Sequence, residues 1–111
     1  MTAEQLLKEK NILFRARTVS GSGTSDPVIF GEKVFNISCE LFFLTASTAK
    51  VQATLSSESA VVSGVAEWDD WPDGDVTVKT TKSADAPTAV RVVNSGTGDV
   101  VLNVRCNRGS N

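Results

Sequence analysis

Histidine and tyrosine are absent from the 111 residues. Without imidazole there is no Ser-His or Cys-His nucleophile system, no histidine acid–base chemistry and no histidine-containing metal site. Catalysis would have to rest on carboxylates, Lys, Ser or Cys. Cysteine is scarce as well: Cys39 and Cys106 are too few for a disulfide framework or a zinc site. No G-x-x-x-x-G-K-[ST] motif occurs, and no G-x-G-x-x-G motif leads into a helix. No apolar run approaches the ~18 residues of a membrane span, so no membrane partner is expected. The opening "MTAEQLLKEKNILFR" carries charges where a signal peptide needs an apolar core, and the chain reads as soluble and not exported. Eleven basic residues stand against thirteen acidic ones, for a net charge of -2. No strand or loop gathers enough Lys and Arg to follow a phosphate backbone, so nucleic acid is not an expected partner. The balance of these absences points away from an enzyme, and no cofactor or metal is expected.

What is present is a period of two. From Val34 onward the chain is rich in Val and Thr and punctuated by turn residues. In "VFNISCELFFL", Phe35, Ile37, Cys39, Leu41 and Phe43 share one face, and Asn36, Ser38 and Glu40 the other. "KVQATL" sets Val51, Ala53 and Leu55 inward. "DVTVKT" sets Val76 and Val78 against Thr77 and Lys79. "VVLNVRC" sends Val100, Leu102, Val104 and Cys106 inward, so both cysteines are expected as buried, reduced thiols. "AVVSGVAEW" reads as a strand of ambiguous face and "AVRVVN" as a short one, while "SSES" and "KSADAP" read as polar connections. With strands near 12–19 and 28–30 the count is seven or eight. The fold class is therefore all-β, an antiparallel β-sandwich or jelly roll.

The N-terminal region admits two readings. Thr2 and Gln5 fit a capping box ahead of good helix formers, which makes a short first helix. "SGSGTSDP" has the composition of a flexible hinge. This divides the chain into an extended or partly helical arm (1–19), a hinge (20–27), a β body (28–106) and a tail (107–111). On the arm, Leu6, Leu7, Ile12, Phe14, Arg15 and Arg17 are candidate partner contacts. Alternatively, residues 12–19 are the first strand of the sandwich.

The densest chemistry is "WDDWPDGD", residues 68–75. An EF-hand spacing laid on Asp69, Trp71, Asp73 and Gly74 puts Trp71 at a ligand position and Thr80 where a bidentate Glu is needed. Pro72-Asp73-Gly74 instead suits a tight turn. Trp68 and Trp71 are left over, either as core packing or as an aromatic contact surface. Phe42 and Val101, apolar residues on the polar faces of their strands, are further candidates for contact. "NSGTGD" (94–99) resembles a phosphate loop in composition, but no helix follows it to hold an anion, and a hairpin loop is expected.

Arm, Gly/Ser hinge and Val/Thr-rich body, from "TAEQLLKEKNILFRARTV" through "SGSGTSDP" to "VVLNVRCN", together resemble the staple-type capsid decoration proteins of epsilon15-like tailed bacteriophages. The resemblance covers the whole chain in layout and has no short motif. It implies a virion protein made in the host cytoplasm: a homodimer on the outer capsid surface that binds the major capsid protein and staples neighbouring subunits by multivalency. Two other functions fit the same residues. One is a carbohydrate-binding sandwich with Trp68 and Trp71 as stacking platforms; the other is a phage tail or head component.

Overall fold

In the computed structural model, residues 12–30 and 34–108 are described. Four strands, β1 (Ile12–Ser20), β4 (Val34–Phe43), β7 (Thr80–Asp85) and β9 (Asp99–Arg108), form one antiparallel sheet in the order β1-β9-β4-β7. The second sheet contains β2 (Gly23–Thr24), β3 (Val28–Ile29), β5 (Ala49–Thr54), β6 (Asp69–Asp70) and β8 (Ala89–Asn94). Its order is β2-β8-β5-β6, with β3 also pairing β8. A single short helix, α1 (Glu58–Ser63), lies in the connection from β5 to β6 among the described residues.

The two inner faces follow from alternation. On β4, Ile37, Cys39 and Leu41 are buried, and on β9 so are Val100, Leu102, Val104 and Cys106. The register places Ile37 opposite Cys106, Cys39 opposite Val104 and Leu41 opposite Leu102, all on one side of the sheet. Facing them from the second sheet are Val28, Ala49, Val51, Val90 and Val92, in one continuous buried cluster with Val19 and Phe30. Removing each of the Val, Ile, Leu and Phe side chains from water contributes about 1.5–3 kcal/mol, so the sandwich is held chiefly by this dry interface.

Both edges of the first sheet are closed by long cationic side chains pointing inward. On β1, Arg15 and Arg17 lie opposite the buried Val104 and Leu102, and Arg17 Nη2 donates to the Pro27 carbonyl at 3.3 Å. On β7, Lys82 lies opposite Cys39 and pairs with Asp73 at 3.3 Å. Inward-pointing charge on an edge strand opposes further strand addition.

One end of the sandwich is organised by a buried amide. Asn94 is 2% exposed, and its Nδ2 donates to the Gly21 and Gly98 carbonyls at 2.7 and 2.8 Å. Its Oδ1 accepts from Ser47 Oγ at 2.6 Å and from the Gly96 N–H at 3.1 Å. Three separate connections are thus tied to one side chain whose donors and acceptor are all satisfied. The loops approach so closely that a Cβ on Gly98 would strike the carbonyl oxygens of Ala46 and Thr45.

Several expectations need correction. Residues 12–20, held open between arm and strand, form β1, paired with β9 from Ile12↔Asn107 to Ser20↔Asp99. The segment expected as a flexible hinge is tied to the body: Ser25 is buried, its N–H donates to the Val92 carbonyl and its Oγ accepts from the Val92 N–H. Strand β9 continues to Arg108, past the point where a tail was expected. "AVVSGVAEW" is helix followed by coil, because Ser57 Oγ caps the Ala60 N–H and Gly64, at φ 80°, ends the helix. The Gly64 N–H bonds the Val61 carbonyl and the Val65 N–H the Ala60 carbonyl, the paired bonds of a Schellman motif. Leu55 is exposed and Thr54 is buried, the reverse of the alternation expected. Val78 is exposed too, and the strand lies later, in "TTKSAD". "NSGTGD" joins β8 of one sheet to β9 of the other, so it is a corner and not a hairpin. The Phe35 side chain, the capping box at Thr2 and the final residues 109–111 lie outside what is described.

If Asn94 holds this end together, Asn94→Ala should cost about 3 kcal/mol in urea unfolding, since several buried groups lose their partners at once. Asn103→Ala, on the outer face, should cost well under about 1 kcal/mol. Equal effects from the two would contradict the assignment.

Candidate binding surface

The candidate contact residues do not converge. Leu6 and Leu7 lie outside the described residues, and Ile12 is placed by its backbone alone. Phe14 sits opposite Arg105, and Phe42, 39% exposed, sits opposite Val101. These two share the outer face of the first sheet. Arg15 and Arg17 turn the other way, towards the sandwich edge. Trp68 and Trp71 belong to the second sheet, and they part company there.

Trp71 follows β6, donates its N–H to the Val51 carbonyl at 3.0 Å and packs against the core. The gap beneath it, lined by Cys39, Leu41, Val51, Val76 and Thr80, measures about 10 Å³, room for no more than one water. The turn read from Pro72-Asp73-Gly74 is present: the Gly74 N–H donates to the Trp71 carbonyl at 2.9 Å, with Gly74 at φ 59°. Trp68 lies on the opposite side, with the Arg91 guanidinium carbon 4.2 Å from its ring centroid. Trp68 and Trp71 therefore do not form a paired stacking platform.

Around Trp68 the outer face of the second sheet carries a chain of polar contacts. Arg91 Nε donates to Gln52 Oε1 at 2.8 Å, Gln52 Nε2 to Asp70 Oδ1 at 2.8 Å, and Lys50 Nζ to Asp70 Oδ2 at 3.1 Å. The pairings follow from register, since Gln52 is opposite both Arg91 and Asp70. The Gln52 hydrogen bond first, then Lys50, holds the Asp70 carboxyl below its ordinary pKa. Asp73 is bound to Lys82, so the two paired aspartates of this stretch, Asp70 and Asp73, serve separate cations on different strands.

Next to this network the connection 55–68 crosses over the end of the sheet. Thr54 Oγ1 donates to the Glu67 carbonyl at 2.6 Å, and the Glu67 N–H donates to Ser56 Oγ at 3.0 Å. These bonds close the base of the excursion, and Val61 on α1 is its buried anchor. Thr54 and Ala89, which the register directs outward, are buried. The excursion then leaves three aliphatic side chains in solvent: Leu55 (84% exposed), Val62 (73%) and Val65 (72%). None of these was anticipated as a contact. Alternation assigns Leu55 inward and places Val62 and Val65 in a strand; the signals against that strand are Ser57 and Gly64, a helix start and stop.

The cysteines offer no accessible nucleophile. Neither is in a disulfide and both are buried. Burial, reinforced by Cys106, pushes the Cys39 thiol up to about 12 from 9.0, which suppresses the reactive thiolate.

No family model and no curated protein matches the sequence. Solved structures do match in shape. Drosophila melanogaster CENP-C, in its structure bound to CAL1, aligns at a TM-score of 0.51 and 13% identity over 94% of this chain and 66% of that one. A predicted oxalate decarboxylase from Thermotoga maritima aligns at 0.53 and 6%, over 97% and 76%. The Cupin_2 domain of an XRE-family transcriptional regulator from Enterobacter cloacae aligns at 0.51 and 7%, over 93% and 87%. The fold is a cupin-like jelly roll. At such identities the likeness concerns the fold alone, and the chain spans just under two thirds of the CENP-C chain. The resemblance to capsid decoration proteins does not hold: the structural likeness found runs to cupin-fold proteins and not to those. It rested on an arm and hinge, and residues 12–27 are instead strand and hydrogen-bonded corner.

Two measurements check this surface. Arg91→Ala should uncover the Trp68 ring, changing its fluorescence while lowering stability by about 1 kcal/mol; an unchanged spectrum would rule out the stack. For Cys39, the folded pKa lies above the unfolded one, so its contribution is complete below pH 9.0 and is lost as pH rises towards about 12. Cys39→Val should flatten the alkaline fall in stability over that window, and an identical fall in the variant would contradict the assignment.

Proposed function

We propose that this chain is a non-catalytic β-sandwich module that binds another protein through the excursion at 55–70. The observation that carries the reading is the exposure of Leu55, Val62 and Val65 on a segment that is capped, hydrogen-bonded at its base and anchored by Val61. Disorder does not account for that exposure. An ordered structure that spends its helix caps on presenting aliphatic side chains has the form of a contact surface. Trp68 with Arg91 adds an aromatic–guanidinium pair at its border, and Trp and Arg are residues enriched in interface hot spots.

Catalysis has little support by comparison. The chain has no histidine, its thiols are buried, and the two carboxylates of 68–75 that carry ion pairs, Asp70 and Asp73, are each held by a lysine on a different strand. Among proteins of the same fold, the CENP-C structure holds a protein partner, CAL1, so a jelly roll of this kind is compatible with protein binding. The capsid role rested on the resemblance and is not carried forward; what remains of it is a β body that engages a protein surface. A glycan-binding role would need an open aromatic platform, and Arg91 covers one face of Trp68 while Trp71 packs on the core.

A photo-crosslinking residue at position 62, introduced into the full chain in its native cells, should yield a discrete protein adduct. The same residue at position 83, on the outer face of the other sheet, should yield none. Adducts from both positions alike, or from 83 only, would overturn the assignment of the face.

A further inference from the structure

The charge distribution around the excursion narrows the chemistry of its partner. Between Lys50 and Lys79, residues 51–78 contain Glu58, Glu67, Asp69, Asp70, Asp73 and Asp75 and no Lys or Arg. Six of the chain's thirteen carboxylates thus fall in one uninterrupted stretch. Two of the six are neutralised from outside it, Asp70 by Lys50 and Asp73 by Lys82. Among the described residues no cation pairs with Glu58, Glu67, Asp69 or Asp75.

Two of these unpaired acids lie beside the exposed aliphatics. Glu58 opens α1, four positions before Val62. Glu67 is hydrogen-bonded to Thr54 and Ser56, the two neighbours of Leu55, so its backbone lies against that of Leu55. Asp69 begins β6 opposite Ala53, so its side chain lies on the other face of the sheet from Gln52 and Asp70. The excursion therefore joins exposed aliphatic side chains to two unpaired acids, Glu58 and Glu67, while Arg91 at its border is engaged by the Trp68 ring and Gln52.

We propose that the excursion docks a basic protein segment carrying aliphatic side chains, a refinement that rests on the protein-binding reading above. Leu, Ile or Val of the partner would cover Leu55, Val62 and Val65, while its Lys or Arg would meet Glu58 and Glu67. Opposed charges at the rim set orientation and speed association, and the apolar centre supplies the area removed from water. A second copy of this chain is disfavoured as occupant, because a two-fold contact through the same surface would bring the unpaired acids of both copies together.

The test uses the full-length chain and two synthetic peptides of equal length, one built from Leu and Lys and the other from Leu and Glu. Backbone amide shifts are followed by NMR at low and high salt. The Leu/Lys peptide should perturb residues 55–70, bind about tenfold more weakly when Glu58 and Glu67 are both changed to Lys, and weaken with added salt. Val62→Asp combined with Val65→Asp should abolish binding while leaving the melting temperature within a degree or so, as expected for exposed positions. Equal binding of the Leu/Glu peptide, perturbation confined to another face, or dimerisation through the excursion in sedimentation would each overturn the proposal. If neither peptide binds while position 62 still crosslinks to a protein, the basic partner is wrong and the binding face stands. If both experiments fail, the protein-binding reading fails with it.

Discussion

The long antiparallel pair of β4 and β9 sets the position of every other element. Its register aligns Ile37, Cys39 and Leu41 with Cys106, Val104 and Leu102 on one side, and that dry column is what the second sheet packs against. Each strand then has one free edge: β1 takes the edge of β9 and β7 that of β4. Because neither added strand has a neighbour beyond it among the described residues, the sandwich is open there at both sides. The openings are met by half-buried Arg17 on one side and by half-buried Lys82 on the other, whose charged ends reach the Pro27 carbonyl and Asp73. The same solution on two unrelated edge strands explains how a small sheet stays free of strand-by-strand association.

The second sheet divides its labour differently. Its inner face is apolar, but its outer face is half covered by the connection from β5 to β6. That connection serves two purposes, burying Thr54, Val61 and Ala89 while displaying Leu55, Val62 and Val65. The stretch with the densest chemistry has an equally divided part. Trp71 seals the core edge and Pro72-Asp73-Gly74 turns the chain, while Trp68 and Asp70 are drawn into contacts with Arg91, Gln52 and Lys50 on the solvent side. Structure and surface are built from adjacent residues of one octapeptide, which is why its acids do not gather on a common point.

The central strands were legible because half-burial writes a period of two: β4, β5, β8 and β9 stand where alternation put them, with the inward cysteines among them. Strand β7 was not legible, since an edge strand of Thr, Lys, Ser and Asp has no apolar face to betray it. Helix α1 was hidden by its composition; Val61 and Val62 favour strands, and six residues are too few to show a helical period. The turn at Pro72 could be read from local backbone chemistry alone. The Arg91–Trp68 stack could not, because it depends on which strands become neighbours. For the same reason the exposed aliphatic side chains were missed, along with Glu58 and Glu67 beside them.

Native-state hydrogen exchange tests the central claim most directly, because it asks whether the excursion is a built feature of the sandwich. Amides of the β4–β9 ladder should exchange only through global unfolding. The Gly64, Val65, Glu67 and Trp71 amides, all hydrogen-bonded, should show intermediate but clear protection. If those four instead exchange at the rate of an open chain, the aliphatic side chains are exposed by disorder, and a preformed binding surface at 55–70 does not exist.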